Sequence, residues 1–153
     1  MGALMELERK GKFCDMVDGT TPLPPVSQLL GWKLLEMDPE KGRIRAQFEA
    51  KREFLSGVGN VQGGILTAML DDVMGSALVC TLPPGHLLPV VELKTSFMRP
   101  AKLGPIFATG RVVFKAKSIA FVEGTLRDEA GKLIATASAT MRIISPQPEK
   151  ESS

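Results

Sequence analysis

The sequence predicts an α+β domain in which an antiparallel sheet wraps around one long central helix. Three observations carry that reading. The apolar stretch from about Gln62 to Thr81 has the length of a helix and is hydrophobic nearly all round. The segments on either side of it alternate apolar and polar residues with a period of two, the mark of half-buried strands. No strand–helix–strand alternation occurs, which argues against a parallel sheet. A helix that is apolar on every face needs cover on every face, and a single sheet covers only part of it. A second copy of the chain is the natural supplier of the rest, so at least a dimer is expected.

Residues 1–20 are polar and weakly patterned, consistent with a short helix lying on the body. Thr20-Thr21-Pro22-Leu23-Pro24-Pro25 breaks the chain, and Val26 to Leu30 reads as a helical turn closed by Gly31. Trp32–Met37 and Arg43–Ala50 form a hairpin about the turn residues 38–42, with Ile44, Ala46 and Phe48 on the buried side. A loop over residues 51–60 leads into the long helix, which Pro83, Pro84 and Gly85 stop. Four strands follow: Pro89–Met98, Pro105–Ala116, Ser118–Arg127 and Lys132–Ile144, the last two joined by the turn Asp128-Glu129-Ala130-Gly131. Val91, Leu93, Thr95 and Phe97 share one face of the first of these, and Ile106, Ala108, Gly110, Val112 and Phe114 one face of the second. The expected organisation is an N-terminal extension (1–28), one domain (29–144) and a disordered Pro/Glu/Lys/Ser tail (145–153).

Bulk properties exclude several functions. A net charge of +2 and the lack of any run of basic residues give no reason to expect nucleic acid. Two cysteines, Cys14 and Cys80, make no disulfide framework, and the single histidine, His86, cannot support a histidine metal site or a Ser/His/Asp triad within one subunit. The polar N-terminus has no apolar segment of the signal-peptide kind, and the helix is too short and too acidic to span a membrane. A cytoplasmic, reduced protein is expected.

The chemistry concentrates in Asn60-Val61-Gln62-Gly63-Gly64, which opens the helix, and in Asp71 and Asp72 two turns further on. The first N–H groups of a helix have no partner within it and favour a developing anion. A carboxylate on a buried helix is costly unless something compensates it. Together they suit chemistry on an acyl carbonyl. Asp71 shares a helical stripe with Gly64, Thr67 and Gly75, so its surroundings are small and open. Asp72 lies about 100° further round; it is the rival candidate for the catalytic acid, but is rather expected to pair with a cation or cap a neighbouring element. Asn60 serves equally as a substrate ligand or as the N-cap. Trp32, Met69, Met74 and Phe121 read as core or pocket lining, Cys80 as a small buried residue, and His86 as exposed and inert.

These residues, in this order, resemble a hotdog-fold thioesterase of the phenylacetate-pathway (PaaI-like) type, a family of small acyl-CoA thioesterases. The resemblance rests on Ser56-x(5)-Gln62-Gly63-Gly64-x(6)-Asp71, on Glu92–Gly104 with its Arg99-Pro100-Ala101 step, and on the last hairpin at Asp128–Ala135; it covers residues 29–144. It implies a hotdog fold and hydrolysis of acyl- or aryl-CoA thioesters without a metal or organic cofactor. It also implies a dimer as the active unit, often assembled into a homotetramer. By resemblance, Asp71 is the general base or nucleophile, and Gly63 and Gly64 supply backbone N–H groups to the thioester oxygen, with Gln62 at their side. Asn60, Ser56 and Thr67 are candidate substrate ligands, and Arg99, Lys102, Lys115 and Lys117 candidates for the phosphates of coenzyme A. Three positions depart from the family: its histidine is Gln62 here, its asparagine is Ser56, and an assisting Ser or Thr on the next strand falls at Val90. Those changes motivate a rival expectation, an acyl-CoA-binding module with little turnover. A hotdog hydratase ranks last, because Ser76 stands where its histidine would be.

Overall fold

The computed structural model of the protein describes residues 12–148. The expectations for residues 1–11 and for the end of the tail, 149–153, lie outside the described residues. Two short helices, α1 (Lys12–Val17) and α2 (Pro25–Leu30), precede the hairpin β1 (Lys33–Asp38) and β2 (Arg43–Ala50). The central helix α3 (Gly63–Val79) is followed by β3 (Val90–Phe97), β4 (Gly104–Lys115), β5 (Ile119–Arg127) and β6 (Leu133–Arg142). All strand pairings are antiparallel, in the order β1-β2-β4-β5-β6-β3. This is the α+β architecture expected, and α3 packs across the middle of the sheet on β2, β4, β5 and β6.

The alternation explains the core. Ile44, Ala46 and Phe48 on β2, Ile106 and Ala108 on β4, and Ala120, Val122 and Leu126 on β5 all turn inward against Leu66, Met69, Leu70, Val73, Met74 and Ala77 of α3. Where α3 crosses the sheet, Gly110 and Gly124 face each other in register. A Cβ on Gly110 would lie 2.3 Å from the Val73 carbonyl oxygen, and one on Gly124 within 3.1 Å of Leu70 and Met74. The helix therefore sits in a groove that exists only because two strand residues lack side chains.

Sequence expectations fail at Phe114, Phe121 and His86. Phe114 is exposed, because the register of β4 on β5 shifts between Val112 and Phe114 and turns the strand end over. Phe121 is also exposed: Ala120 and Val122 take the inward positions, so Phe121 points outward and stacks on Phe114 with ring centroids 5.8 Å apart. Trp32, Met69 and Met74 are core, as expected. His86 is half-buried rather than exposed, with Nδ1 2.9 Å from the Pro83 carbonyl oxygen. Cys80 is half-buried, its thiol pushed up to about 11 by burial.

Gly110→Ala should lower the free energy of unfolding by about 1–3 kcal/mol or more, as overpacking does, read as a lower urea midpoint at unchanged slope.

Candidate active site

The loop before α3 is held by backbone. Leu55 and Val61 form an isolated antiparallel bridge. The Val61 N–H donates to the Ala101 carbonyl (2.9 Å) and the Gln62 N–H to the Phe54 carbonyl (2.8 Å). Gln62 is the N-cap residue, extended at φ −57°, ψ 133°, with no side-chain cap. Asn60 is thus not the N-cap. Its carbonyl instead accepts from the Ser56 N–H at 2.7 Å, which closes the tip of the loop. The Gln62 carbonyl accepts from Ile65 and Leu66, so the N–H groups of Gly63 and Gly64 precede the first bonds of the helix. Open space faces Gly64, whereas the Phe97 ring, at the end of β3, would lie 3.2 Å from a Cβ on Gly63.

Edge strand β3 runs antiparallel along one side of α3. Phe97 meets Gly63, and the Thr67 hydroxyl bonds the Thr95 hydroxyl at 3.1 Å. Two strand residues and one helical turn both advance about 6 Å, so this register persists along the pair. Thr67 therefore does not back-bond its own helix. Thr95 escaped the sequence reading; its face was legible beside Val91, Leu93 and Phe97, but its partner was not.

On its open side α3 presents the predicted stripe. Gly64 and Asp71 are exposed in the single chain, while Thr67 and Gly75 are half-buried. Ala68, Asp71, Asp72, Gly75, Ser76 and Val79 of α3, with Val26 of α2, line an open cavity of about 320 Å³. Burial raises the pKa of Asp71 above its ordinary 3.8.

Among the described residues Asp72 neither pairs with a cation nor caps an element, contrary to expectation. It turns toward α2, where the buried Ser27 hydroxyl lies near enough to favour the charged carboxylate. Oδ2 is buried without a hydrogen-bond partner. Burial raises the Asp72 pKa, the Ser27 hydroxyl partly offsets this, and the neighbouring Asp71 charge adds to the rise.

The basic candidates fall into two groups. Arg99 lies at the α3 N-terminal end, its guanidinium donating to the Leu133 carbonyl at 3.0 Å. Lys115 lies at the other end of the helix, donating to the Thr81 carbonyl at 3.2 Å, with exposed Lys117 two residues on. One chain therefore brings Ser56, Asn60, Gln62, Gly63, Gly64 and Arg99 to one end, Thr67 and Asp71 to the middle, and Lys115 and Lys117 to the opposite end.

The comparisons agree with this architecture. Residues 58–135 match the family model described as Thioesterase superfamily. The chain belongs to that superfamily. It is 38% identical to a phenylacetic acid degradation-related protein of Ralstonia eutropha JMP134, whose structure superposes with a TM-score of 0.82 over 85% of this chain and 98% of that one. It is 28% identical to acyl-coenzyme A thioesterase 13 of Homo sapiens over 84% of this chain and 92% of the relative. The Escherichia coli PaaI protein shares the fold, with a TM-score of 0.77 over 88% of this chain and 95% of that one, at 18% identity. The chain is thus a thioesterase-family enzyme of the PaaI-like kind. Among the described residues no helix is long and apolar enough to cross a membrane.

With both carboxyls raised above 3.8, the folded chain holds more protons than the unfolded one just above that pH. Stability should therefore fall as pH rises from 3.8 through the raised values. In Asp72→Asn that fall should be shallower, measured as urea midpoints from about pH 4 to neutrality.

Proposed function

We propose that the protein hydrolyses acyl-CoA thioesters at a site shared by two copies of the chain. The observation that carries this reading is the spacing on α3. Gly64 and Asp71 are seven residues apart on one stripe, about 10 Å along the axis. An oxyanion donor must lie about 3 Å from the oxygen it stabilises, and a base about 3 Å from the water it activates. One carbonyl cannot comfortably meet both groups of the same helix, and the Thr67–Thr95 pair stands between them. Two α3 helices packed antiparallel about a twofold axis near Thr67 and Ala68 bring the N-terminus of each against Asp71 of the other. The open stripe of small residues leaves room for that approach, and the exposed apolar side chains of edge strand β3, Val91 and Phe97, would be covered with it.

In this arrangement the N–H groups of Gly63 and Gly64 polarise the thioester carbonyl, helped by the helix dipole. Asp71 takes the proton of the attacking water, or attacks the carbonyl itself to form an acyl anhydride that water then cleaves. The leaving thiolate needs little protonation, since a thiol pKa is about 8.5. Gln62, Asn60 and Ser56 are amide and hydroxyl groups at the mouth, placed to bond the thioester or the pantetheine amides. Arg99 and Lys102 at this end of the helix, with Lys115 and Lys117 of the second copy, supply positive charge for the coenzyme A phosphates. The thioesterase names of the relatives support the reaction class. The departures at Gln62, Ser56 and Val90 support the rival reading, a module that binds acyl-CoA with little turnover.

Thiol release from a panel of acyl- and aryl-CoA esters tests the choice. Asp71→Asn should lower kcat/KM by about 10²–10⁴-fold, the usual contribution of a general base, in a chain that stays folded. The wild-type acid limb should have its midpoint above 3.8, because Asp71 must be ionised to act and burial raises its pKa. Saturable acyl-CoA binding without thiol release would favour the binding module instead.

A further inference from the structure

We propose that Val26, on α2, selects the acyl group by forming the far wall of the cavity beside Asp71. This rests on the reading of Asp71 as the base of a thioester hydrolase. Among the described residues Val26 is the one lining residue that does not come from α3. From Asp71 the cavity follows the helix past Gly75, which offers no side chain, to Val79. That is eight residues, about 12 Å. A chain leaving a carbonyl held at Asp71 would run over Gly75 with Val26 facing it. The cavity's apolar lining, Val26, Ala68 and Val79, is aliphatic, with Asp71, Asp72 and Ser76 as polar neighbours and no aromatic side chain lining it among the described residues, which fits a linear aliphatic acyl group better than an aryl one.

The placing of Val26 is fixed while its side chain is free. Helix α2 is anchored by Leu30, 1% exposed, and by Ser27, 3% exposed and close to the Asp72 carboxyl. The Trp32 N–H donates to the Ser27 carbonyl at 2.9 Å, and Gln28 Nε2 to the Leu23 carbonyl at 2.7 Å. Val26 itself is 52% exposed. The core of the fold does not use it, so its volume can change without unfolding the chain. The buried Asp72 carboxylate, which the proposed chemistry leaves without a task, gains one here: with Ser27 it holds α2 against α3 at the depth that sets the cavity's width.

The test compares Val26→Phe and Val26→Ala with wild type on acetyl-, hexanoyl-, decanoyl-, palmitoyl- and phenylacetyl-CoA, with Asp71→Asn alongside. Val26→Phe should lower kcat/KM for the longer esters by at least about ten-fold, the scale on which a pocket discriminates single methylenes, and leave acetyl-CoA within about two-fold of wild type. Val26→Ala should move the optimum toward longer chains. Unchanged profiles in both variants, or a loss spread evenly over all esters, would overturn the role of Val26 while Asp71→Asn remains inactive. If one variant fails to fold, the other decides. Turnover that survives in Asp71→Asn, or none in wild type, would remove the functional reading itself and the proposal with it.

Discussion

Everything distinctive about this molecule depends on how closely α3 lies on its sheet. Gly110 and Gly124 face each other beneath the helix, and the Val73 carbonyl occupies the space where a Cβ would stand. The small strand residues around them, Ala108, Ala120, Ala137 and Ala139, continue the trough. Because the helix sits so deep, its inner side is fully buried by one sheet. Its outer stripe, from Gly64 past Thr67 and Asp71 to Gly75, is left without cover from the sheet.

The proposed chemistry rests on that asymmetry. A helix lying higher on the sheet would need large side chains on both sides and would leave no room for a ligand. Here the outer stripe is bordered by β3 on one side and α2 on the other, and both contribute to it. Strand β3 fixes Gly63 through Phe97 and Thr67 through Thr95. Helix α2 engages Asp72 through Ser27 and lines the cavity with Val26. The two adjacent carboxylates consequently take different roles. Asp71 faces the open stripe, where partial desolvation makes it a stronger base than an ordinary carboxylate. Asp72 is turned into a helix–helix contact and serves position.

Much of this is legible in the sequence. Period-two alternation located every strand to within a few residues, and the Gly-Gly step marked the start of α3. The stripe of Asp71 followed from helical spacing alone. What escaped has physical reasons. A glycine within a strand pattern signals either a bulge or a close approach, and only the crossing of α3 distinguishes them at Gly110. Phe121 reads as core or pocket lining by residue type, although its own neighbours, Ala120 and Val122, already claim the inward positions. The contacts of Asp72 with Ser27 and of Thr67 with Thr95 join segments far apart in the chain, and hydroxyl partners leave no periodic signal. Asn60 had the chemistry of an N-cap, but the helix begins after Gln62, and the loop bonds of Ser56 and Val61 set that boundary.

In the proposed function one catalytic site draws its amides from one copy of the chain and its carboxylate from another. Complementation between two inactive variants tests it. Asp71→Asn removes the base, and Gly63→Pro removes a donor at the first helical position, where proline is tolerated. Each alone should be inactive. On co-expression of equal amounts, half of the dimers are mixed, and each mixed dimer restores one of its two sites. Thiol release should then recover to about a quarter of wild type, as twofold symmetry requires. Mixed dimers without recovered activity would place amides and carboxylate in the same chain and contradict the account.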